Sequence, residues 1–143
     1  PMFRRLTDDF HVAPQIELAD LATVAAQGFL IVINNRPDGE EPDAPQGDAV
    51  AAAAAAAGLA YAAIPVGHGG FSAAQLDALD AARAAHPGKA LAYCRSGTRS
   101  THLWALAQAR GGADVDGLCG AAAAAGYDIS MLRPIMTSLS AGV

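Results

Sequence analysis

The chain has 143 residues, a hydrophobic fraction of 52% and a formal net charge of −5, which fits one folded domain spanning residues 1–143. Only 9 lysines and arginines stand against 14 acidic residues, so the chain lacks the clustered positive charge of a nucleic-acid-binding protein. The longest apolar run, residues 49–57, is too short and weakly apolar to span a bilayer, and the first residues do not form a signal peptide. We therefore expect a cytoplasmic protein that binds neither nucleic acid nor membrane.

The first third of the chain predicts a strand, a helix and a second strand. Residues 10–12 fit a short strand, and residues 16–25 carry an apolar stripe at helical spacing that ends at Gly28. Residues 29–33 form a continuous apolar run. Such a run is typical of a central strand that is covered on both faces.

A long loop and an alanine-rich helix follow. Residues 35–47, here called the acidic loop, are rich in proline, glycine and acidic residues and show no periodicity. Asp48 is the predicted N-cap of a helix that ends at Gly58. The length of this helix suits a crossover between parallel strands.

The centre of the chain repeats the alternation of strand and helix. Residues 59–65 predict a second buried strand, and residues 67–70 form a glycine-rich loop. Ser72 is the predicted cap of a helix that stops at residues 87–88. Residues 90–93 predict a third core strand, which leads directly into a cysteine.

Three helices complete the prediction. Residues 100–110 have a buried face, residues 115–125 are closed by Gly126, and a last helix starts at Ser130 and accommodates Pro134 near its first turn. Alternating strands and helices indicate an α/β fold with a central, mostly parallel sheet of about four or five strands and helices on both faces. In such sheets reactive groups lie at the carboxyl ends of the strands.

The strongest chemical signal is the segment of residues 94–100, here called the Cys loop. Its first residue, Cys94, lies just before a predicted helix and beside arginines, a setting that favours the nucleophilic thiolate. Gly97 allows a tight turn whose amides can bind an anion, and Arg99 can hold two oxygens of that anion with its planar fork. The remaining candidates for substrate binding in this loop are Arg95, Ser96, Thr98 and Ser100, the last also as a helix cap and a donor to the thiolate.

Other reactive side chains have weaker claims. A buried inert thiol is the alternative for Cys94, whereas Cys119, on a predicted helix far from arginines, is interpreted as packing. His68 lies among glycines at the end of a core strand. It is interpreted either as a proton donor to the leaving group or as a simple loop histidine. The two cysteines are predicted to be reduced, and the scattered histidines predict no structural metal and no cofactor.

Two motifs carry a family resemblance. The segment Ile64-Pro65-Val66-Gly67-His68 followed by the Cys loop resembles the core of the cysteine-dependent dual-specificity phosphatases. Residues 32–41 together with residues 93–100 resemble the bacterial phosphatase-like domain that also occurs fused to a metallo-β-lactamase-type domain. The resemblance implies the cysteine-phosphatase fold, a phosphomonoester substrate, a phospho-enzyme on Cys94, and a metallo-β-lactamase-type partner enzyme.

The sequence departs from the phosphatase pattern at two points. Only four residues separate Cys94 from Arg99, one fewer than in phosphatases, and Ser100 takes the position of their arginine. This shorter loop resembles that of rhodanese sulfurtransferases, which carry a cysteine persulfide and use thiosulfate or a persulfide as substrate. The general-acid aspartate of the phosphatases aligns with His68.

The resemblance leaves Asp38, Glu40 and Glu41 of the acidic loop as substitutes for that general acid, with Arg36 as a further substrate-binding candidate. The interpretations are, in order, a cysteine phosphatase, a sulfurtransferase, and a non-catalytic module that binds phosphate or sulfate.

Overall fold

A computed structural model describes residues 3–142 and shows a five-stranded sheet flanked by helices on both faces. The strands are β1 (Arg4–Thr7), β2 (Phe10–Ala13), β3 (Ile31–Asn34), β4 (Ala60–Ala63) and β5 (Ala90–Tyr93). The helices are α1 (Asp20–Ala26), α2 (Gly47–Ala56), α3 (Ala73–Ala85), α4 (Thr98–Arg110), α5 (Val115–Ala124) and α6 (Arg133–Ser140), and a 3₁₀ turn (Ser130–Leu132) precedes α6. No helix within residues 3–142 is long and apolar enough to cross a membrane.

The sheet has the order β1-β2-β5-β3-β4 and is parallel except for the β1–β2 pair. This confirms the predicted α/β fold class. Strand β1 was not predicted, because its residues are largely polar and give only a weak alternating pattern. It extends the sheet by pairing with β2.

The alternation of side chains along the strands divides the core into two layers. On one face, Val12, Ile33 and Ala92 belong to a cluster that includes residues of α3, α4, α5 and α6. On the other face, Val32 and Leu91 belong to a cluster with residues of α1 and α2. Strands β3 and β5 are buried along their whole length, as expected for central strands covered on both sides.

Three local predictions need correction. Residues 59–65 do not form a buried core strand, since β4 is a half-buried edge strand. The N-cap residue of α2 is Gln46, and Asp48 lies in the first turn instead. Helix α1 begins only at Asp20, because Asp20 Oδ2 accepts a hydrogen bond from the amide of Glu17 and so stabilises a turn before the helix.

The cap of α3 is confirmed in detail. The Ser72 hydroxyl accepts a hydrogen bond from the Gln75 amide, and the Gln75 side chain accepts one from the Ser72 amide, which completes a capping box. The Gln75 side chain also donates to the carbonyl of Pro65. Helix α3 is thereby tied to the segment that follows β4.

The strand register places the candidate site. Tyr93 pairs with Asn34 and with Ala13, and Asn34 pairs with Ala63, so the four parallel strands end side by side. The acidic loop, the glycine-rich loop and the Cys loop therefore leave the sheet at one edge. This is the edge at which α/β proteins of this type place their reactive groups.

Candidate active site

Cys94 is fully buried between the end of β5 and the start of α4. Its amide donates to the carbonyl of Ala13 at 3.4 Å, so the backbone continues the β2–β5 ladder to the cysteine itself. Its Sγ accepts a hydrogen bond from the amide of Gly97 at 3.2 Å. Because that amide belongs to the N-terminus of a helix with 13 residues, the helix dipole favours negative charge on the sulfur.

Gly97 is required by the shape of the Cys loop. It is the N-cap residue of α4 and has a φ of 90°, a conformation that favours glycine. A Cβ at this position would also overlap the hydroxyl of Tyr127. That hydroxyl donates a hydrogen bond to the carbonyl of Ser96 at 2.9 Å. Tyr127, which follows α5, therefore stabilises the backbone of the Cys loop.

The remaining Cys-loop residues divide by exposure. Arg95, Ser96 and Thr98 are exposed, and the Ser96 hydroxyl contacts the Thr98 hydroxyl at 2.9 Å. Ser100 is buried in the first turn of α4, and its Oγ has no hydrogen-bond partner within residues 3–142. Ser100 therefore neither caps the helix nor donates to Cys94, which corrects the sequence-based interpretation.

Arg99 is held by a carboxylate of the acidic loop. Its Nη1 and Nη2 donate to Glu40 Oε2 and Oε1 at 2.7 Å and 2.9 Å, a bidentate pair. Nη1 also donates to the carbonyl of Val66 at 2.6 Å. The hydrogen bond to Glu40 raises the pKa of Arg99, partial burial opposes the rise, and the nearby Cys94 adds to it. Arg99 thus lies near the thiol with both of its terminal nitrogens bonded to Glu40.

Arg36 is a second arginine that binds the Glu40 carboxylate. Its Nε donates to Glu40 Oε1 at 2.9 Å, its Nη1 to Gln15 Oε1 at 2.8 Å, and its Nη2 to Glu41 Oε2 at 3.3 Å. The side chain is buried. In this structure Arg36 binds Glu40, Gln15 and Glu41, and its contact with substrate stays a prediction.

Glu40 remains charged in this setting. Hydrogen bonds from Arg99 lower its pKa to about 2; burial opposes the shift, and Arg36 adds to it. A carboxyl with so low a pKa is ionised at neutral pH and has no proton to deliver. Glu40 is thus the ionised partner of Arg99 in this structure, which does not favour the hypothesis that it is the general acid.

His68 and Asp38 lie on different sides of this network. The His68 side chain is 88% exposed, and its Nε2 is 3.9 Å from Glu40 Oε2, so it lies at the mouth of the site. Asp38 Oδ1 accepts a hydrogen bond from the amide of Gly47 at 2.8 Å and so fixes the acidic loop to the start of α2. Of the two predicted proton donors, His68 is the one placed beside the Arg99–Glu40 pair.

Two consecutive asparagines join the strand ends beneath the site. The Asn35 amide donates to the carbonyl of Tyr93, and its side chain donates to the carbonyl of Ile64 at 2.9 Å. The Asn34 side chain donates to the Tyr61 hydroxyl and accepts from the Arg36 amide. Both asparagines are buried, and these bonds satisfy backbone groups that the strands leave unpaired where they end.

Cys119 is a partly buried residue of α5 that packs against the core cluster on the face of α3 to α6. This agrees with its interpretation as a packing residue. Glu40 was predicted at the site as a substitute general acid, but its ion pair with Arg99 was not predicted, and neither were the contacts of Gln15 and Tyr127. Each arises from a loop or helix distant in sequence from the Cys loop, and no local spacing indicates it.

Comparison with known proteins identifies the family to which this chain belongs. The profile of the family described as "Beta-lactamase hydrolase-like protein, phosphatase-like domain" matches residues 2–111. The chain belongs to this phosphatase-like domain family. A beta-lactamase hydrolase-like protein of Agrobacterium fabrum is 38% identical over 108 residues, which are 76% of this chain and 25% of that protein. The chain thus spans about a quarter of the length of that relative.

Solved structures support the same relationship. A candidate phosphatase of Neisseria meningitidis superposes with a TM-score of 0.83 at 28% identity, covering 95% of this chain and 96% of that one. Human DUSP28 superposes with a TM-score of 0.66 at 16% identity, covering 99% of this chain and 96% of that one. The fold is that of the dual-specificity phosphatases, and the domain is phosphatase-like by family.

Proposed function

We propose that this phosphatase-like domain is a cysteine-dependent hydrolase of phosphomonoesters, with Cys94 as the nucleophile. The observation that carries the proposal is the position of the Cys94 thiol. It accepts a hydrogen bond from the Gly97 amide at the N-terminus of α4 and lies near Arg99. A thiol at the N-terminus of a helix and beside an arginine is the arrangement that many cysteine nucleophiles share.

The proposed reaction has two displacement steps. The Cys94 thiolate attacks phosphorus, the bond from phosphorus to the ester oxygen breaks, and His68 or solvent protonates the departing oxygen. Water then attacks the cysteinyl phosphate, which releases inorganic phosphate and restores the thiolate. Loop amides and the Arg99 guanidinium stabilise the charge that develops on the phosphoryl oxygens.

A second function, sulfur transfer, is favoured by one specific observation. Both terminal nitrogens of Arg99 are bonded to Glu40, so in this structure a phosphoryl group would meet only the remaining N–H groups of the guanidinium, and the loop is one residue shorter than in phosphatases. In this alternative the Cys94 thiolate attacks the outer sulfur of thiosulfate, the sulfur–sulfur bond breaks and sulfite leaves. Cyanide or a thiol then removes the sulfur from the Cys94 persulfide. This chemistry needs no general acid.

Parallel assays separate the two chemistries. The purified domain is tested with an aryl phosphate and with thiosulfate plus cyanide, using Cys94→Ser as the inactive variant and Cys119→Ser as the matched control. Turnover of the aryl phosphate that is lost only in Cys94→Ser supports the first proposal. A gain in mass of one sulfur atom on Cys94, with no phosphatase turnover, would replace it by sulfur transfer.

The relatives also suggest a partner. Since this chain matches only 25% of the Agrobacterium fabrum protein, we propose that the domain acts beside a metallo-β-lactamase-type enzyme, and that its product or substrate is shared with that enzyme. Native mass spectrometry of this domain mixed with the rest of that relative tests the association. A mixture that shows only the separate proteins would contradict a stable complex.

A further inference from the structure

Glu40 binds the two terminal nitrogens of Arg99, the side chain that the proposed function assigns to the anionic substrate. Its carboxylate receives three charge-assisted hydrogen bonds, two from Arg99 and one from Arg36. The side chain is only 20% exposed, whereas that of Glu41 is 53% exposed and has a single bond of 3.3 Å to Arg36. Glu40 is therefore an integral part of the site, and Glu41 lies at its margin.

This carboxylate changes the charge that an incoming anion meets. The two arginines of the network, Arg36 and Arg99, are matched by the two carboxylates Glu40 and Glu41. The Cys94 thiolate adds a further negative charge when it forms. The positive charges of Arg36 and Arg99 are thus balanced within this network, and the exposed Arg95 is the other arginine of the Cys loop.

The energetic consequence depends on the charge of the substrate. Repulsion from one carboxylate is about twice as large for a dianion as for a monoanion at the same distance. A dianion must either accept that repulsion or displace Glu40 from its three hydrogen bonds, each of which joins charged groups in a partly buried place. A monoanion or a neutral sulfur compound carries a smaller penalty.

We propose that Glu40 is a specificity-determining residue that lowers the affinity of the Cys94 site for dianions relative to monoanions. Applied to the proposed substrate, it favours the monoanionic form of a phosphomonoester over the dianionic form that predominates above about pH 6. This inference rests on the proposed function of that site, whose substrate class it narrows. Glu40 acts through its ion pair with Arg99. The carboxylate orients the guanidinium toward Cys94 and lowers the negative charge of an anion that can bind beside it.

Anion binding to the Glu40→Gln variant tests this inference without any turnover. The probes are inorganic phosphate at about pH 8, where it is mainly a dianion, and nitrate, a monoanion. The amide resonances of Gly97 and Arg99 report binding in the 15N-labelled domain. We expect Glu40→Gln to bind phosphate about 25-fold more tightly and nitrate about 5-fold more tightly, because the removed charge acts on twice the charge in phosphate.

Three further variants make the test specific. Glu41→Gln removes a carboxylate of the same loop and is expected to change either affinity by less than about 3-fold, since Glu41 is exposed. Glu40→Asp keeps the charge and is therefore expected to leave the preference between phosphate and nitrate unchanged. Glu40→Ala removes the charge and carries the test if Glu40→Gln does not fold, and its phosphate affinity should rise more than its nitrate affinity.

Equal gains for phosphate and nitrate, or equal effects of Glu40→Gln and Glu41→Gln, would overturn the inference. Weaker phosphate binding in Glu40→Gln would also overturn it, because Glu40 would then serve only to hold Arg99 in place. The result is separable from that of the enzyme assays. A domain without turnover that shows the selective gain would refute the proposed reaction and leave the anion selectivity standing.

Discussion

At the scale of single residues, the site depends on side chains that each hold another one in place. Arg99 reaches Cys94 because Glu40 and the Val66 carbonyl hold its guanidinium. Glu40 is in turn held by Arg36. Changes at these positions should therefore alter activity more than they alter packing.

Arg99→Lys is expected to slow hydrolysis of an aryl phosphate by about 10²-fold. A lysine supplies one point charge and cannot bind two oxygens of either Glu40 or a phosphoryl group. Steady-state kinetics measures the effect. Arg110→Lys, at the other end of α4 in exposed pairs with Asp77 and Asp80, is the control and should change turnover by less than about 2-fold. Similar losses in both variants would contradict the role of Arg99.

Tyr127→Phe is expected to lower the free energy of unfolding by about 1 kcal/mol, because the hydrogen bond to the Ser96 carbonyl is lost. The ring and its contact with Arg4 remain, so the change reports on the hydroxyl alone. Urea unfolding measures the stability. An unchanged free energy of unfolding would show that the hydroxyl does not hold the Cys loop.

At the scale of elements, the turn from β5 into α4 is the critical connection. Strand β5 is buried along its length, and α4 is buried on most of its first three turns. Residues 94–97 of the Cys loop join the two elements. The turn is narrow because the Cys94 amide still pairs with β2 while the Gly97 amide already points to the thiol. A change of backbone conformation here should affect both stability and the thiol.

Gly97→Ala is expected to destabilise the fold by about 2 kcal/mol or more, from the strained positive φ and the overlap with the Tyr127 hydroxyl. Gly120→Ala is the matched control. Gly120 lies in α5 with nothing within 4 Å of an added Cβ, so alanine there should stabilise by roughly 0.5–1 kcal/mol.

Thermal and urea unfolding of both variants test this difference. The cost of Gly97→Ala should be smaller in a Tyr127→Phe background, because part of the overlap is then removed. An equal cost in the two backgrounds would assign the whole effect to the backbone conformation.

At the scale of the whole molecule, the site lies where three loops meet at one sheet edge. The acidic loop and the Cys loop follow strands that are adjacent in the sheet but far apart in the chain. The ion pair of Glu40 and Arg99 links these loops. It therefore couples the stability of the fold to the charge state of the site.

This coupling predicts a specific pH dependence of stability. The pKa of Glu40 falls from 4.5 to about 2 on folding, so its contribution is complete above about pH 4.5 and is lost as the pH falls toward 2. After allowance for solvent screening, we expect the ion pair to contribute about 1 to 2 kcal/mol at neutral pH.

Urea unfolding of the wild-type domain and of Glu40→Gln at about pH 7, 5 and 3 measures this contribution. The difference between the two proteins should be constant from about pH 7 to 5 and shrink toward pH 3. Burial lowers the pKa of His102, so both proteins should also lose stability together below about pH 6.5. A difference that does not change down to pH 3 would contradict the pKa assigned to Glu40.

Much of the fold and the centre of the site followed from the sequence alone. The runs at residues 29–33 and 90–93 predicted central strands, because buried parallel strands need continuous apolar residues. The bounds of β5 were correct, and the Cys loop was placed correctly between β5 and α4. Local signals sufficed in these cases, since hydrophobic pattern, a glycine and a helix start are all encoded within a few residues.

The partners of the Cys loop were decided only by the tertiary structure. Glu40 lies 59 positions from Arg99, and Tyr127 lies 31 positions from Ser96, so no local spacing relates them. The edge position of β4 likewise depends on the strand order and not on its own apolar sequence. The sequence by itself singled out Cys94 as the proposed nucleophile. Only the packing of distant loops decided which charges surround it, because electrostatic contacts depend on distance in space and not on distance along the chain.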